Sequence, residues 1–202
     1  MCGVDRRNLL RCGLGAAAAA SFGIGGGAQA EPVPYLAYLG LDPVVPDAQG
    51  YGVRRVSLIN THTDERIDAV YWENGRYLPD AMAEVNHVMR DHRNGEVHQI
   101  HGRLLDYLDR IAGRLEIDRP FHLISGYRSP HTNAMLRERG GGGVAKRSLH
   151  MEGMASDIRA ERVDLDRLHA AAASLGRGGV GYYPVSNFVH VDVGAVRRWR
   201  GV

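Results

Sequence analysis

Both cysteines of the 202-residue chain, Cys2 and Cys12, lie within its first twelve residues. A domain built from the remainder has no disulfide framework, no thiolate nucleophile and no thiolate metal ligand. An apolar core must therefore hold it together, and any chemistry must rest on His, carboxylate, Arg, Tyr or Ser side chains. The length suits one globular domain, or one domain plus a tail. With 25 Lys+Arg against 23 Asp+Glu and 44% hydrophobic residues, the chain is not a highly charged disordered one. It also lacks the basic excess of a nucleic-acid binder, so nucleic acid is not an expected partner.

Residues 1–30 read as an address. Arg6-Arg7 is followed by Asn8-Leu9-Leu10, an Ala/Gly-rich run to Gly27, and Ala28-Gln29-Ala30. A basic start, a short apolar stretch and an A-x-A site make a secretory signal, and the adjacent arginines point to the twin-arginine route. The apolar stretch is too short and glycine-rich to span a bilayer. The expectation is export to the periplasm or cell envelope, loss of both cysteines with the signal, and no stable membrane insertion afterwards. Residues 31–52, with Pro32, Pro34, Pro43 and Pro46, read as a flexible arm or linker before a domain over 53–202.

Within that domain, Arg54 to Asn60 and Ile67 to Trp72 alternate and are rich in β-branched residues, which predicts a hairpin, and Asn74-Gly75 turns the chain. Met82, Val85, Val88 and Met89 follow Pro79 at helical spacing up to about Asp91. Leu104, Leu108, Ile111 and Leu115 mark a second helix from about Arg103. Further on come a strand at Phe121–Ser125, a helix from about His131 to Arg139, and four glycines, 140–143, read as a mobile loop. A strand at Met154–Ile158, a helix at Leu165–Leu175 and strands at Gly179–Tyr183 and Phe188–Val193 complete the pattern. Helices early and several short strands late predict an α+β fold, a small antiparallel sheet with flanking helices.

Ten histidines concentrate the functional question. His62, His87, His92, His98, His101, His122 and His169 fall in turns, on polar helix faces or on a strand among core residues, where imidazole needs no special explanation. His150 and His190 have another setting. Asp157 lies inside the apolar strand Met154–Ile158, where a carboxylate is costly to bury unless something positive pairs with it. His190 and Asp192 share one face of their strand because side chains alternate. His150, Asp157 and His190 offer three ligands from two segments, a pattern suited to zinc with an open position. A satisfied core His–Asp pair accounts for the same residues.

Ser125-Gly126-Tyr127-Arg128-Ser129-Pro130, Ser148-Leu149-His150-Met151-Glu152-Gly153-Met154-Ala155-Ser156-Asp157, Gly179-Val180-Gly181-Tyr182-Tyr183 and Phe188-Val189-His190-Val191-Asp192 occur in that order. Together with Asn60-Thr61-His62-Thr63 and Tyr71-Trp72, this set resembles the bacterial DUF882 family, related to murein endopeptidase K, among the zinc D-Ala-D-Ala-type peptidases of peptidase family M15. The resemblance covers roughly residues 53 to 200 and implies a hedgehog/D-Ala-D-Ala-peptidase-like fold. It implies a zinc ion held by His150, Asp157 and His190, with Arg128 stabilising the oxyanion of peptide cleavage. Ser148 and Tyr127 are expected to contact substrate. Relatives that cut D-Ala-D-Ala place a Glu general base three residues before the last zinc histidine, where this chain has Asn187. An amide cannot take up that proton, so Asp192 becomes the candidate base, or else a carboxylate that orients a ligand imidazole. The expected activity is a monomeric zinc metallopeptidase cutting peptide cross-links of peptidoglycan. The alternatives are a D,D-carboxypeptidase and a non-catalytic zinc-dependent peptidoglycan-binding module.

Overall fold

The computed structural model describes residues 52–139 and 144–201. The signal, all of the arm but Gly52, and the glycine run 140–143 lie outside the described residues. Eight strands form one sheet: β1 (Arg54–Asn60), β2 (Arg66–Glu73), β3 (Arg76–Tyr77), β4 (Phe121–Ser125), β5 (Ala155–Ala160), β6 (Gly179–Tyr183), β7 (Phe188–Asp192) and β8 (Arg197–Arg200). Their order across the sheet is β3-β2-β1-β4-β5-β7-β6-β8. Four described helices accompany them: α1 (Pro79–Val88), α2 (Gly102–Leu115), α3 (Pro130–Arg139) and α4 (Leu165–Leu175).

The α+β expectation holds, with a larger and less uniform sheet than the alternation suggested. The predicted β1–β2 hairpin is antiparallel, and Asn74 and Gly75, at φ 52° and 80°, supply the left-handed pair that a tight β2–β3 turn requires. β1, however, pairs parallel with β4, and β8 pairs parallel with β6. Such pairings need crossovers whose partners are distant in sequence, so local patterning cannot show them. β3 and β8 are too short and too polar to register as strands at all.

Strand alternation divides the sheet into a packing face and a working face. Ile158, Val180, Val189 and Val191 point into the core, where they join Leu168 and Ala172 of α4 and Leu104, Leu108 and Ile111 of α2. The Tyr107 hydroxyl of α2 donates to the carbonyl of Ala172 at 2.8 Å, locking the two helices together. Asp106, on the same helix, accepts hydrogen bonds from the Tyr71 and Tyr77 hydroxyls at 3.0 and 2.8 Å and pairs with Arg54 at 2.9 Å. Burying this carboxylate is tolerable because three donors surround it.

Helix α1 stops at Val88, three residues short of the expected Asp91. Its last carbonyls are drawn into tertiary bonds: Val88 O accepts from the Asn60 side chain at 2.9 Å, and Met89 O accepts from Tyr127 N–H at 2.7 Å. Residues 90–101 then run without regular structure past the end of β4 toward α2.

Candidate metal centre

The site is a row written across the working face. Cα pairing aligns Ser125 of β4 with Asp157 of β5, Asp157 with His190 of β7, His190 with Gly181 of β6, and Gly181 with Trp199 of β8. Directly opposed residues on one face lie within side-chain reach of each other. The register of β5 against β7 therefore brings Asp157 to His190 although 33 positions separate them. Gly181 keeps the row open, because a Cβ there would lie 2.6 Å from the Trp199 indole. The indole instead leans across the glycine, with its ring centre 5.1 Å from that of His190.

His150 arrives from outside the sheet, on a single 3-10 turn, Leu149–Glu152, ended by Gly153 at φ 63°. That glycine is required twice over, by its left-handed backbone and because a Cβ would fall 2.1 Å from the Gln99 carbonyl oxygen. The turn is tied back by Arg128 N–H donating to His150 O at 3.1 Å.

Three ligand atoms converge. His150 Nε2 lies 3.2 Å from His190 Nδ1, His190 Nδ1 lies 2.9 Å from Asp157 Oδ1, and His150 Nε2 lies 3.3 Å from Asp157 Oδ1. Ligands about 2.0–2.1 Å from a tetrahedral zinc stand roughly 3.3–3.4 Å apart, so this spacing is close to what zinc requires. The outward nitrogens are committed: His150 Nδ1 donates to Gly126 O at 2.7 Å, and His190 Nε2 donates to Asp192 Oδ2 at 3.0 Å. With the outer protons so placed, the inner nitrogens of both rings, when neutral, present lone pairs to one point. The donor set fits a metal, and it is the one such His/Asp/Glu/Cys group among the described residues.

Electrostatics agree with that use. Burial depresses the His150 pKa and keeps the ring neutral, against the attraction of Asp157. Burial also opposes charge on His190, but hydrogen bonds to Asp157 and Asp192 outweigh it and raise the pKa to about 9 in the metal-free chain. Asp157 is held well below the usual carboxylate range: burial works against its charge, and His150 and His190 more than offset this. Arg128 NH2 stands 3.8 Å from Asp157 Oδ2, and the buried Arg128 Nε has no hydrogen-bond partner among the described residues.

The centre opens into a cleft of about 710 Å³ whose lining includes Arg128, Arg147, Ser148, Tyr183, Phe188 and Trp199. Among the described residues lining it, Asp157 is the only carboxylate. Two residues expected at the site, Tyr127 and Asp192, do not line the cleft. The Tyr127 ring, 4% exposed, stacks on His98, and its hydroxyl donates to Glu96 at 2.8 Å, so it is absent from the lining. Asp192 is fully buried behind His190. Its Oδ1 accepts from Gly179 N, Gly194 N and Arg197 at 3.1, 2.9 and 3.1 Å, and its Oδ2 from His190 and Arg197 at 3.0 and 2.7 Å. Asn187 is exposed in the β6–β7 turn at φ 54°, a conformation that Asn tolerates better than Glu does.

Sequence reasoning missed Arg197 and Trp199. Their one signal is the i, i+2 spacing in Arg197–Arg200, which puts both on one side of a strand. The seven histidines read as structural stay out of the centre: His62 stacks on His92, His98 on Tyr127, and His169 packs near Tyr182.

An α+β domain with two oriented imidazoles and a carboxylate at the floor of an open cleft has the construction of a hydrolytic metal site. The family model described as peptidoglycan L,D-endopeptidase MepK, of the M15 peptidases, matches residues 48–199, and the chain belongs to this family. It is 44% identical over 146 residues to the peptidoglycan L,D-endopeptidase MepK of Escherichia coli strain K12, covering 72% of this chain and 80% of that protein. It is 40% identical over 150 residues to the probable peptidoglycan L,D-endopeptidase MepK of Haemophilus influenzae, covering 74% and 80%.

Proposed function

We propose that this protein is a zinc-dependent endopeptidase that cuts peptide cross-links of peptidoglycan at L,D bonds. The observation that carries the reading is the convergence of His150 Nε2, His190 Nδ1 and Asp157 Oδ1 beneath an arginine-lined cleft. The names of the relatives support the substrate and the bond.

In this reading His150, Asp157 and His190 hold the metal, which supplies Lewis acidity and a water that ionises near neutral pH. Arg128 is the oxyanion residue: it lines the cleft with its guanidinium almost buried beside Asp157, a fixed positive charge next to where charge would develop on the substrate. Ser148, on the cleft wall, helps to hold the peptide. Tyr127 supports the Arg128 segment instead of touching substrate.

Asp192 takes the orienting role and not that of general base. A carboxylate that accepts five hydrogen bonds and has no exposure has nothing free to offer a proton in the cleft. Burial opposes its charge, yet the bonds from His190, Gly194 and Arg197 hold its pKa well below the usual range, which makes it a weak base. Arg197 pins Asp192, Asp192 pins the His190 tautomer, and the C-terminal strand is thereby tied to the metal centre.

No helix among the described residues is long and apolar enough to cross a membrane. Peptidoglycan lies outside the cytoplasmic membrane, so this reading includes export through the Arg6-Arg7 signal to the periplasm or envelope.

The test is digestion of purified sacculi and of cross-linked muropeptide dimers with the zinc-loaded protein. Conversion of L,D-linked dimers to monomers is the expected result. Release of free D-Ala alone would make the protein a carboxypeptidase, and retention on sacculi without fragments would make it a binding module.

A further inference from the structure

We propose that Asp91 is a positioning residue that fixes Arg128 through the peptide joining Arg128 to Ser129. The inference rests on the oxyanion role proposed above for Arg128. Arg128 stands on the four residues between the end of β4 and the start of α3, a stretch with no strand partner of its own. Something else must set its backbone.

Residues 89–96 do so. Met89 O accepts from Tyr127 N–H at 2.7 Å. Asp91 Oδ2 accepts from Ser129 N–H at 2.9 Å, the amide that immediately follows Arg128, while Oδ1 accepts from Arg93 N–H at 3.0 Å. Asn94 Nδ2 donates to Ser129 Oγ at 3.0 Å, and Glu96 receives the Tyr127 hydroxyl. Every residue from 127 to 129 is thus bonded outside its own segment, since Arg128 N–H itself goes to His150 O. Gly126 is pressed so close that a Cβ would lie 2.4 Å from Met89 O.

Asp91 is the centre of this brace. It is 1% exposed, whereas residues 93–98 around it are exposed, so a carboxylate has been buried at the root of a solvent-facing loop. Burial of such a group needs specific donors. Those it has are backbone amides and the start of α3, where Ser129 Oγ also accepts from Thr132 N–H at 3.1 Å as an N-cap. A negative charge suits that helix end. The arrangement fixes the direction in which the Arg128 side chain leaves the backbone toward Asp157.

The test is a double-mutant cycle on the zinc-loaded full chain with a purified cross-linked muropeptide dimer. Asp91→Ala should lower kcat by about tenfold to a hundredfold, the cost of a misplacement near 1 Å, with zinc content retained and KM changed less than about threefold. Asp91→Asn, which keeps one oxygen for Ser129 N–H, should lose less. In an Arg128→Ala background, Asp91→Ala should change kcat by less than about twofold, because the group it positions is gone. An equal loss in both backgrounds overturns the proposal and leaves Asp91 a stabiliser of the fold. A crystal structure of Asp91→Ala with the Arg128 guanidinium unmoved overturns it independently of activity. Wild-type turnover in Arg128→Ala, or no cleavage by the wild type, sinks the functional reading itself, and the crystal structure still decides where Asp91 holds Arg128.

Discussion

Asp192→Asn separates the two roles that a carboxylate two residues after a ligand histidine can play. In the wild type, Oδ2 of Asp192 faces two donors, His190 Nε2–H at 3.0 Å and Arg197 at 2.7 Å. The amide keeps an oxygen for the Gly179 and Gly194 N–H groups but places its NH2 where Oδ2 stood. Two donors then meet a third. His190 can escape only by moving its proton to Nδ1 so that Nε2 accepts from the amide, and Nδ1 is the nitrogen that faces His150 and Asp157. A protonated Nδ1 has no lone pair for a metal. Loss of an orienting partner costs about 10- to 100-fold in metal affinity, or about 1.4–2.7 kcal/mol, and a reversed tautomer puts the variant toward the larger value. The assay is zinc competition against a chromophoric chelator at fixed pH, with thermal unfolding in EDTA to check that the variant is folded. Zinc affinity within about twofold of wild type would refute the reasoning. If turnover nevertheless collapsed at full zinc occupancy, Asp192 would act on a proton, and the general-base role would be restored.

Three further outcomes follow from the same geometry. Gly126→Ala should destabilise the fold by about 1–3 kcal/mol, because the new methyl meets Met89 O at 2.4 Å, and should weaken zinc as well, since Gly126 O fixes the His150 ring; an unchanged Tm sinks this. In the metal-free chain the His190 pKa is raised from 6.5 to about 9, so its stabilising charge is fully present below pH 6.5 and is lost as pH rises through about 9. Zinc binding between those limits should release close to one proton and tighten by about tenfold per pH unit, and calorimetric heats independent of the buffer's ionisation enthalpy would rule this out. Asp106→Ala should cost about 3–5 kcal/mol, read by denaturant unfolding, since two buried phenols and Arg54 lose their acceptor, while zinc content stays unchanged because none of these residues lines the cleft.

The sequence by itself determined the α+β class and most element positions, and it singled out His150, Asp157 and His190 as candidate ligands. Each was legible for a local reason: alternation and helical spacing are encoded within a few residues of each other, and a carboxylate inside an apolar strand is conspicuous wherever the strand goes. The order of motifs along the chain fixed the family resemblance without any contact being known. What only the tertiary structure decided depends on register and crossover. Asp157 meets His190 because β5 pairs with β7 at one particular offset, and a slip by one residue would turn either side chain into the core. Trp199 and Arg197 reach the centre because the four-residue β8, polar enough to read as a tail, adds itself parallel to β6 beside a glycine. Tyr127 leaves the cleft, Asp192 retires behind His190 and Asp91 closes on the Arg128 segment for the same reason. Hydrogen-bond partners far apart in sequence, such as Tyr127 with Glu96 and Asp91 with Ser129, are chosen by how the elements pack, and packing is a property of the whole chain, not of any window of its sequence.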